Sequence, residues 1–167
     1  MLYKNVHRYF IQIATSLRHV HSKQIVHRDI SLDNILVKNN TAYLVDFGLA
    51  RKIPSGSSDM FGLVGTMGFQ APEVREATLA TTYDGFKADS YSLGVFLWCL
   101  LTKEEPDYYF TDCRADIKGR GHVDPILKLC VLGLVEDEPK KRWGVSAMLK
   151  YLRHSDYHSW YIDALSY

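Results

Sequence analysis

Apolar residues recur at gaps of four and three at Val6, Phe10, Ile13, Leu17 and Val20. That spacing is one face of an α-helix, and it predicts a packing helix over residues 5–22 with Asn5 as its N-cap. The period then changes. Ile25-Val26, Ile35-Leu36-Val37 and Ala42 to Val45 are short runs rich in β-branched and aromatic residues, separated by polar breaks. Such runs read as strands. The break Lys38-Asn39-Asn40-Thr41 is turn chemistry, because asparagine tolerates the left-handed region and bonds its own backbone. A hairpin over residues 35–45 is therefore expected. From Leu49 to Gln70 the pattern lapses, and Ile53 to Asp59 is a polar, breaker-rich loop. Leu93 to Leu101 is almost continuously apolar and predicts a core helix with Asp89 at its start. Pro106 to Gly121 is polar with scattered aromatics, Tyr108, Tyr109 and Phe110. Ile126, Leu127, Cys130, Val131 and Leu134 give another helical face, and Val145, Met148, Leu149 and Leu152 a closing one. The tail from Ser155, with Trp160, Tyr161 and Leu165, has no period that assigns it.

These elements gather chemistry. Asp29 falls on a loop between the first two strands. Asn34 lies just before the hairpin and Asp46 just past its end, so pairing of the two strands brings them close. An amide and a carboxylate oxygen suit Mg²⁺, which takes one or two carboxylates together with substrate phosphates. Asp29 then remains free to accept a proton from a substrate hydroxyl.

His27-Arg28-Asp29 with Asn34, then Asp46-Phe47-Gly48, then Ala71-Pro72-Glu73 resemble, in order, the signatures of the eukaryotic-type protein kinases. Three tripeptides in sequence, with the Asn correctly spaced, outweigh the alternative of an Asp-rich surface hairpin. The resemblance implies an α+β, mainly α fold: the helical C-terminal lobe of that domain, with a small β element carrying the catalytic loop. It covers residues 1–154 and leaves 155–167 as a tail. The family's smaller N-terminal lobe, with its Gly-rich loop, strand Lys and partner Glu, is expected to be absent, since no G-x-G-x-x-G occurs.

What the resemblance implies is transfer of the γ-phosphate of ATP to protein Ser or Thr hydroxyls, with ATP and Mg²⁺ as cofactors. Asp29 would orient the hydroxyl and accept its proton. Asn34 and Asp46 would hold the metal, Leu36 would floor the adenine, and Thr66 would hydrogen-bond Asp29. His27 would pack with Phe47, next to Gly48 of the metal-binding triplet. Glu73 and Arg142 would form a buried ion pair. Asp89 would accept backbone N–H bonds from the catalytic loop. Arg28, with Arg51 and Lys52, could gather around a phosphate on Ser55, Ser57 or Ser58. Gly65 to Glu73 resembles the substrate-docking segment of Ser/Thr kinases. One departure stands out: Ser31 occupies the place where Ser/Thr kinases usually carry Lys. Serine donates one hydrogen bond and no charge, so stabilisation of the transferring group should be weaker.

Composition adds limits rather than function. Hydrophobic residues make up 47% and charged residues 23% of 167, ordinary for one globular domain. A net charge of +1 argues against nucleic-acid binding driven by bulk charge. The longest apolar run is about half of the roughly twenty residues a membrane span needs. No secretory pattern opens the chain. Three cysteines and seven histidines show no metal-ligand spacing, which suits a reducing compartment, cytoplasm or nucleus. The other class of function consistent with the sequence is a non-catalytic, kinase-derived interaction module. Either way, a protein partner covering the exposed inter-lobe face is expected.

Overall fold

A computed structural model describes residues 3–107 and 111–155. The chain opens with α1 (Tyr3–Ser22). Val6, Phe10, Ile13 and Leu17 are buried along its predicted face, and Ile11 and Ala14 widen it. The helix begins at Tyr3, so Asn5 lies within its first turn and does not cap it. Short strands follow: β1 (Ile25–Val26), β2 (Ile35–Lys38), β3 (Thr41–Leu44), β4 (Arg51–Lys52) and β5 (Asp59–Phe61). A one-turn helix, α2 (Pro72–Arg75), precedes β6 (Thr82–Asp84). Then come α3 (Gly85–Thr102), α4 (Cys113–Gly119), α5 (Pro125–Leu134) and α6 (Val145–Arg153). The strands form three separate antiparallel pairs, β1 with β4, β2 with β3 and β5 with β6. The fold is thus mainly α with small sheets, and the expected catalytic loop runs between β1 and β2.

The helix α3 is the centre of the core. Leu93, Val95, Phe96, Leu97 and Trp98 are almost wholly enclosed. Burying each such side chain contributes about 1.5–3 kcal/mol. A Cβ on Gly94 would sit 2.7 Å from Leu134 Cβ, so the absence of a side chain lets α3 and α5 approach closely. The true N-cap of α3 is Asp84, whose carboxylate accepts from Lys87 N. Asp89, expected at the start, therefore lies inside the helix, just over a turn past its observed beginning at Gly85. Aspartates also cap α4 (Asp112) and α5 (Asp124, with Pro125 following). The apolar positions Val145, Met148, Leu149 and Leu152 bury α6 against α1 and α5.

Cys99, Cys113 and Cys130 are all buried, and burial pushes each thiol up to about 12. These are core residues with little thiolate at neutral pH. Tyr108, Tyr109, Phe110 and the tail with Trp160, Tyr161 and Leu165 lie outside the described residues, as does almost all of the proposed 155–167 segment.

Candidate active site

The β2–β3 hairpin pairs Ile35 with Leu44, Leu36 with Tyr43 and Val37 with Ala42. Asn39 and Asn40, both at positive φ, make its two-residue turn. The register continues one step past the strands, where Val45 N donates to Asn34 O at 3.0 Å. Asn34 is thereby held opposite the residue before Asp46. The hairpin is anchored to α1, where Gln12 Oε1 accepts from Ala42 N at 2.9 Å and Tyr9 donates to Asn40 Oδ1 at 3.0 Å. Sequence reasoning passed over Gln12. The usable signal was a buried polar residue between Ile11 and Ile13, which must find a partner.

The loop between β1 and β2 hangs on α3. Asp89 Oδ2 accepts from His27 N and Oδ1 from Arg28 N, each at 2.8 Å. His21 Nε2 lies 2.8 Å from the same carboxylate. The bond from His21 to a residue 68 positions away has no local signature in the sequence. Arg28 sits at φ 72, the turn that swings the chain toward Asp29.

The Asp29 carboxylate is clamped by three donors from two residues. Its Oδ1 accepts from Thr66 N at 2.8 Å and from Thr66 Oγ1 at 2.6 Å. Its Oδ2 accepts from Asn34 Nδ2 at 2.8 Å, and the same nitrogen donates to the Asp29 carbonyl at 2.9 Å. The segment carrying Thr66 crosses the loop so closely that a Cβ on Gly65 would lie 2.5 Å from Arg28 O. Gly65 also has φ +94, so glycine is required there on two counts.

Asp46 has φ 58 and accepts from Gly48 N at 3.0 Å. The His27 and Phe47 rings meet edge to face, 4.8 Å between centroids. His27 Nδ1 faces Asp29 N at 3.3 Å and Nε2 faces Val45 O at 3.2 Å. The first contact needs an acceptor and the second a donor, an arrangement that suits the tautomer with its hydrogen on Nε2. His27 is thus fully committed to holding the loop.

Glu73, on α2, and Arg142, ahead of α6, form a bidentate pair at 2.6 and 2.9 Å. Ser31 differs from its expected presentation. It is 1% exposed, and its hydroxyl has no partner among the described residues, so it does not face an acceptor in this arrangement. Leu36 is 57% exposed and shares its face with the cross-strand Tyr43 at 50%. The two arginines expected near the Ser55–Ser58 loop have backbone partners in this structure. Arg28 Nη2 donates to Phe61 O and Arg51 Nη1 to Ala50 O. Ser55 is exposed, and Ser57 Oγ accepts from Asp59 N.

Among the described residues no three His, Cys, Asp or Glu side chains converge as a ligand set. The hairpin register brings Asn34 and Asp46 to neighbouring backbone positions. Asn34 commits its nitrogen to Asp29, which leaves its carbonyl oxygen, and Asp46 Oδ1 alone takes the Gly48 bond. A two-oxygen set of this kind fits a hard cation that completes its shell with phosphate and water, and does not fit zinc.

Residues 2–152 match the protein kinase domain family, and the chain belongs to it. It is 42% identical over 100 residues to the serine/threonine-protein kinase PSK2 of Saccharomyces cerevisiae, covering 59% of this chain and 9% of that protein. It is 30% identical over 155 residues to the serine/threonine-protein kinase D of Synechocystis, covering 86% of this chain and 30% of that one. Human activin receptor type-2A is 41% identical over 99 residues, 57% of this chain and 19% of the receptor. The chain thus spans less than a third of each of these proteins. No helix among the described residues is long and apolar enough to cross a membrane.

Proposed function

We propose that residues 27–66 form the phosphoacceptor side of an ATP-dependent kinase site acting on Ser or Thr hydroxyls of proteins. The observation that carries this reading is the clamped Asp29, whose carboxylate is fixed by Thr66 and Asn34 while the residue stays partly exposed. A carboxylate held by three donors is a rigid acceptor. It orients an incoming hydroxyl and takes its proton as the new O–P bond forms and ADP departs. Asn34 and Asp46 would hold Mg²⁺, and Leu36 would lie under the adenine. Bound Mg-ATP supplies the γ-phosphoryl group and neutralises its charge. Thr66 ties the substrate-docking segment to Asp29, so a docked chain and the proton acceptor are positioned together. With no cation at position 31, transfer is slower than in kinases that carry Lys there. The Ser/Thr preference is supported by the named relatives, and use of ATP supports an intracellular setting.

The exposed face bearing Leu36 and Tyr43 leaves an adenine open to water on one side. Phosphotransfer therefore needs a second body to cover it, either further sequence of a longer protein or a partner protein. The same face, with the buried Ser31, supports a second reading as an interaction module that binds without catalysis.

The test is radiolabel transfer to a Ser/Thr peptide by residues 1–167 joined to a nucleotide-covering lobe. Asp29→Asn should lower the rate by about 10²–10⁴-fold. Undiminished transfer in that variant overturns the catalytic reading, and no transfer in either protein favours the interaction module.

A further inference from the structure

Beneath the crossing of the docking segment over the catalytic loop lies a cavity of about 20 Å³. Arg28 and Asp29 line one wall, Gly65, Thr66 and Gln70 another, and α3 closes it from below through Ala88 and Ser92. Its size is close to that of one water, since a site needs roughly 10–15 Å³ on this measure to hold one.

Two residues that line this cavity each carry a buried polar atom without a protein partner among the described residues. These atoms are Gln70 Oε1 and Arg28 Nε. Gln70 is 7% exposed. Its amide orientation is fixed by chemistry. Gln70 Nε2 donates to Val64 O at 3.1 Å and to Gly65 O at 2.9 Å, and carbonyls can only accept. The atom left over is therefore an acceptor. Arg28 uses Nη2 on Phe61 O, and its Nε–H is a donor. A buried acceptor and a buried donor beside one water-sized cavity call for a molecule that donates to the first and accepts from the second.

We propose that this cavity is a binding site for a single ordered water, which donates to Gln70 Oε1, accepts from Arg28 Nε–H and ties the docking segment to the catalytic loop. Gln70 then acts on both sides of the crossing. Its amide nitrogen holds the two carbonyls just ahead of Thr66, and its amide oxygen, through the water, holds the arginine just ahead of Asp29. The Thr66–Asp29 contact is thereby braced from below. The inference is independent of phosphotransfer, because the site exists whether or not the chain is active.

Two measurements on the whole chain test it. The first is a crystal structure at a resolution that shows ordered solvent, with water-to-amide cross-relaxation by NMR at Gly65 and Thr66. One water within hydrogen-bond distance of both Gln70 Oε1 and Arg28 Nε is expected. A dry cavity, or a water touching only one of the two atoms, overturns the proposal. The second is hydrogen exchange in Gln70→Met, which keeps the volume and removes the donors and the acceptor. The Thr66 amide should exchange at least about tenfold faster, with the Val131 and Leu134 amides of α5 unchanged. Unchanged exchange at Thr66 in a folded variant overturns the bracing role. If Gln70→Met does not fold, the solvent structure of the unsubstituted chain decides alone.

Discussion

Replacing Arg142 by Ala should cost this fold a large share of its stability. The guanidinium is fully enclosed, with its partner Glu73 16% exposed at the side chain. Besides the bidentate pair, Arg142 Nε donates to Glu136 O at 2.6 Å, Nη1 to Lys87 O at 2.9 Å and Nη2 to Asp137 O at 3.1 Å. It also lies over the Tyr91 ring, 5.0 Å from its centroid. Alanine would leave one carboxylate and three carbonyls without these donors. Each buried group left unpaired costs about 1–3 kcal/mol. That sum is an upper bound, because water can reach Glu73 and enter the space left behind. Removing one partner of a buried pair typically costs about 3–5 kcal/mol, and we take that range. A domain has about 5–15 kcal/mol in total. With a urea slope of about 2 kcal/mol/M, the midpoint should fall by about 2 M. Lys140 is the control. It sits two residues away on the surface, where substitutions stay within about 0.5 kcal/mol. Urea titrations of the two alanine variants, followed by far-UV circular dichroism, make the comparison. Equal midpoints would show that the Glu73–Arg142 pair does not hold the fold.

Four further outcomes follow from the same geometry. Ser31→Lys, in a protein whose nucleotide site is covered, should raise transfer, because it puts a cation beside Asp29 where charge develops; a lower rate would show that the buried Ser31 is a packing residue which lysine disrupts. The three thiols should resist labelling in the folded chain at pH 8 and react on unfolding, and rapid labelling of the native protein would contradict their burial. Because folding raises those thiols from an ordinary value of 9.0 to about 12, their contribution is fully present below pH 9 and is lost as pH climbs toward 12; stability that stays level over that window would refute the assignment. The 167-residue chain alone, with Leu36 57% exposed, should bind Mg-ATP no tighter than about 1 mM, and micromolar affinity by calorimetry would refute the need for a cover.

The parts of this molecule written into local sequence are those with their own period or turn. The helices α1, α5 and α6 announce themselves through apolar spacing, and the β2–β3 hairpin through Asn39-Asn40. The site tripeptides are local too, so Asp29, Asn34 and Asp46 could be placed on a loop, before a strand and after one. What escaped notice depends on residues far apart in the chain. The strand β4 is two residues long and exists only because Arg51 and Lys52 find Val26 and Ile25. The start of α3 was placed too late because Gly85 is a poor helix former and hides the Asp84 cap ahead of it. The burial of Ser31 and the bond from His21 to Asp89 arise only when the loop folds onto α3. Gln70 drew no notice beside the Ala71-Pro72-Glu73 signature, yet its amide joins two backbone carbonyls in the fold.

The central claim is that proton acceptance and metal binding sit on different carboxylates of one clamped loop and hairpin. It is tested most directly by titrating Mg-nucleotide into two variants of a protein whose nucleotide site is covered. Asp46→Asn should weaken Mg-nucleotide binding markedly, because it removes a charged ligand. Asp29→Asn should bind nearly as the unsubstituted protein does while losing transfer. Equal loss of nucleotide affinity in both variants would contradict the division of roles.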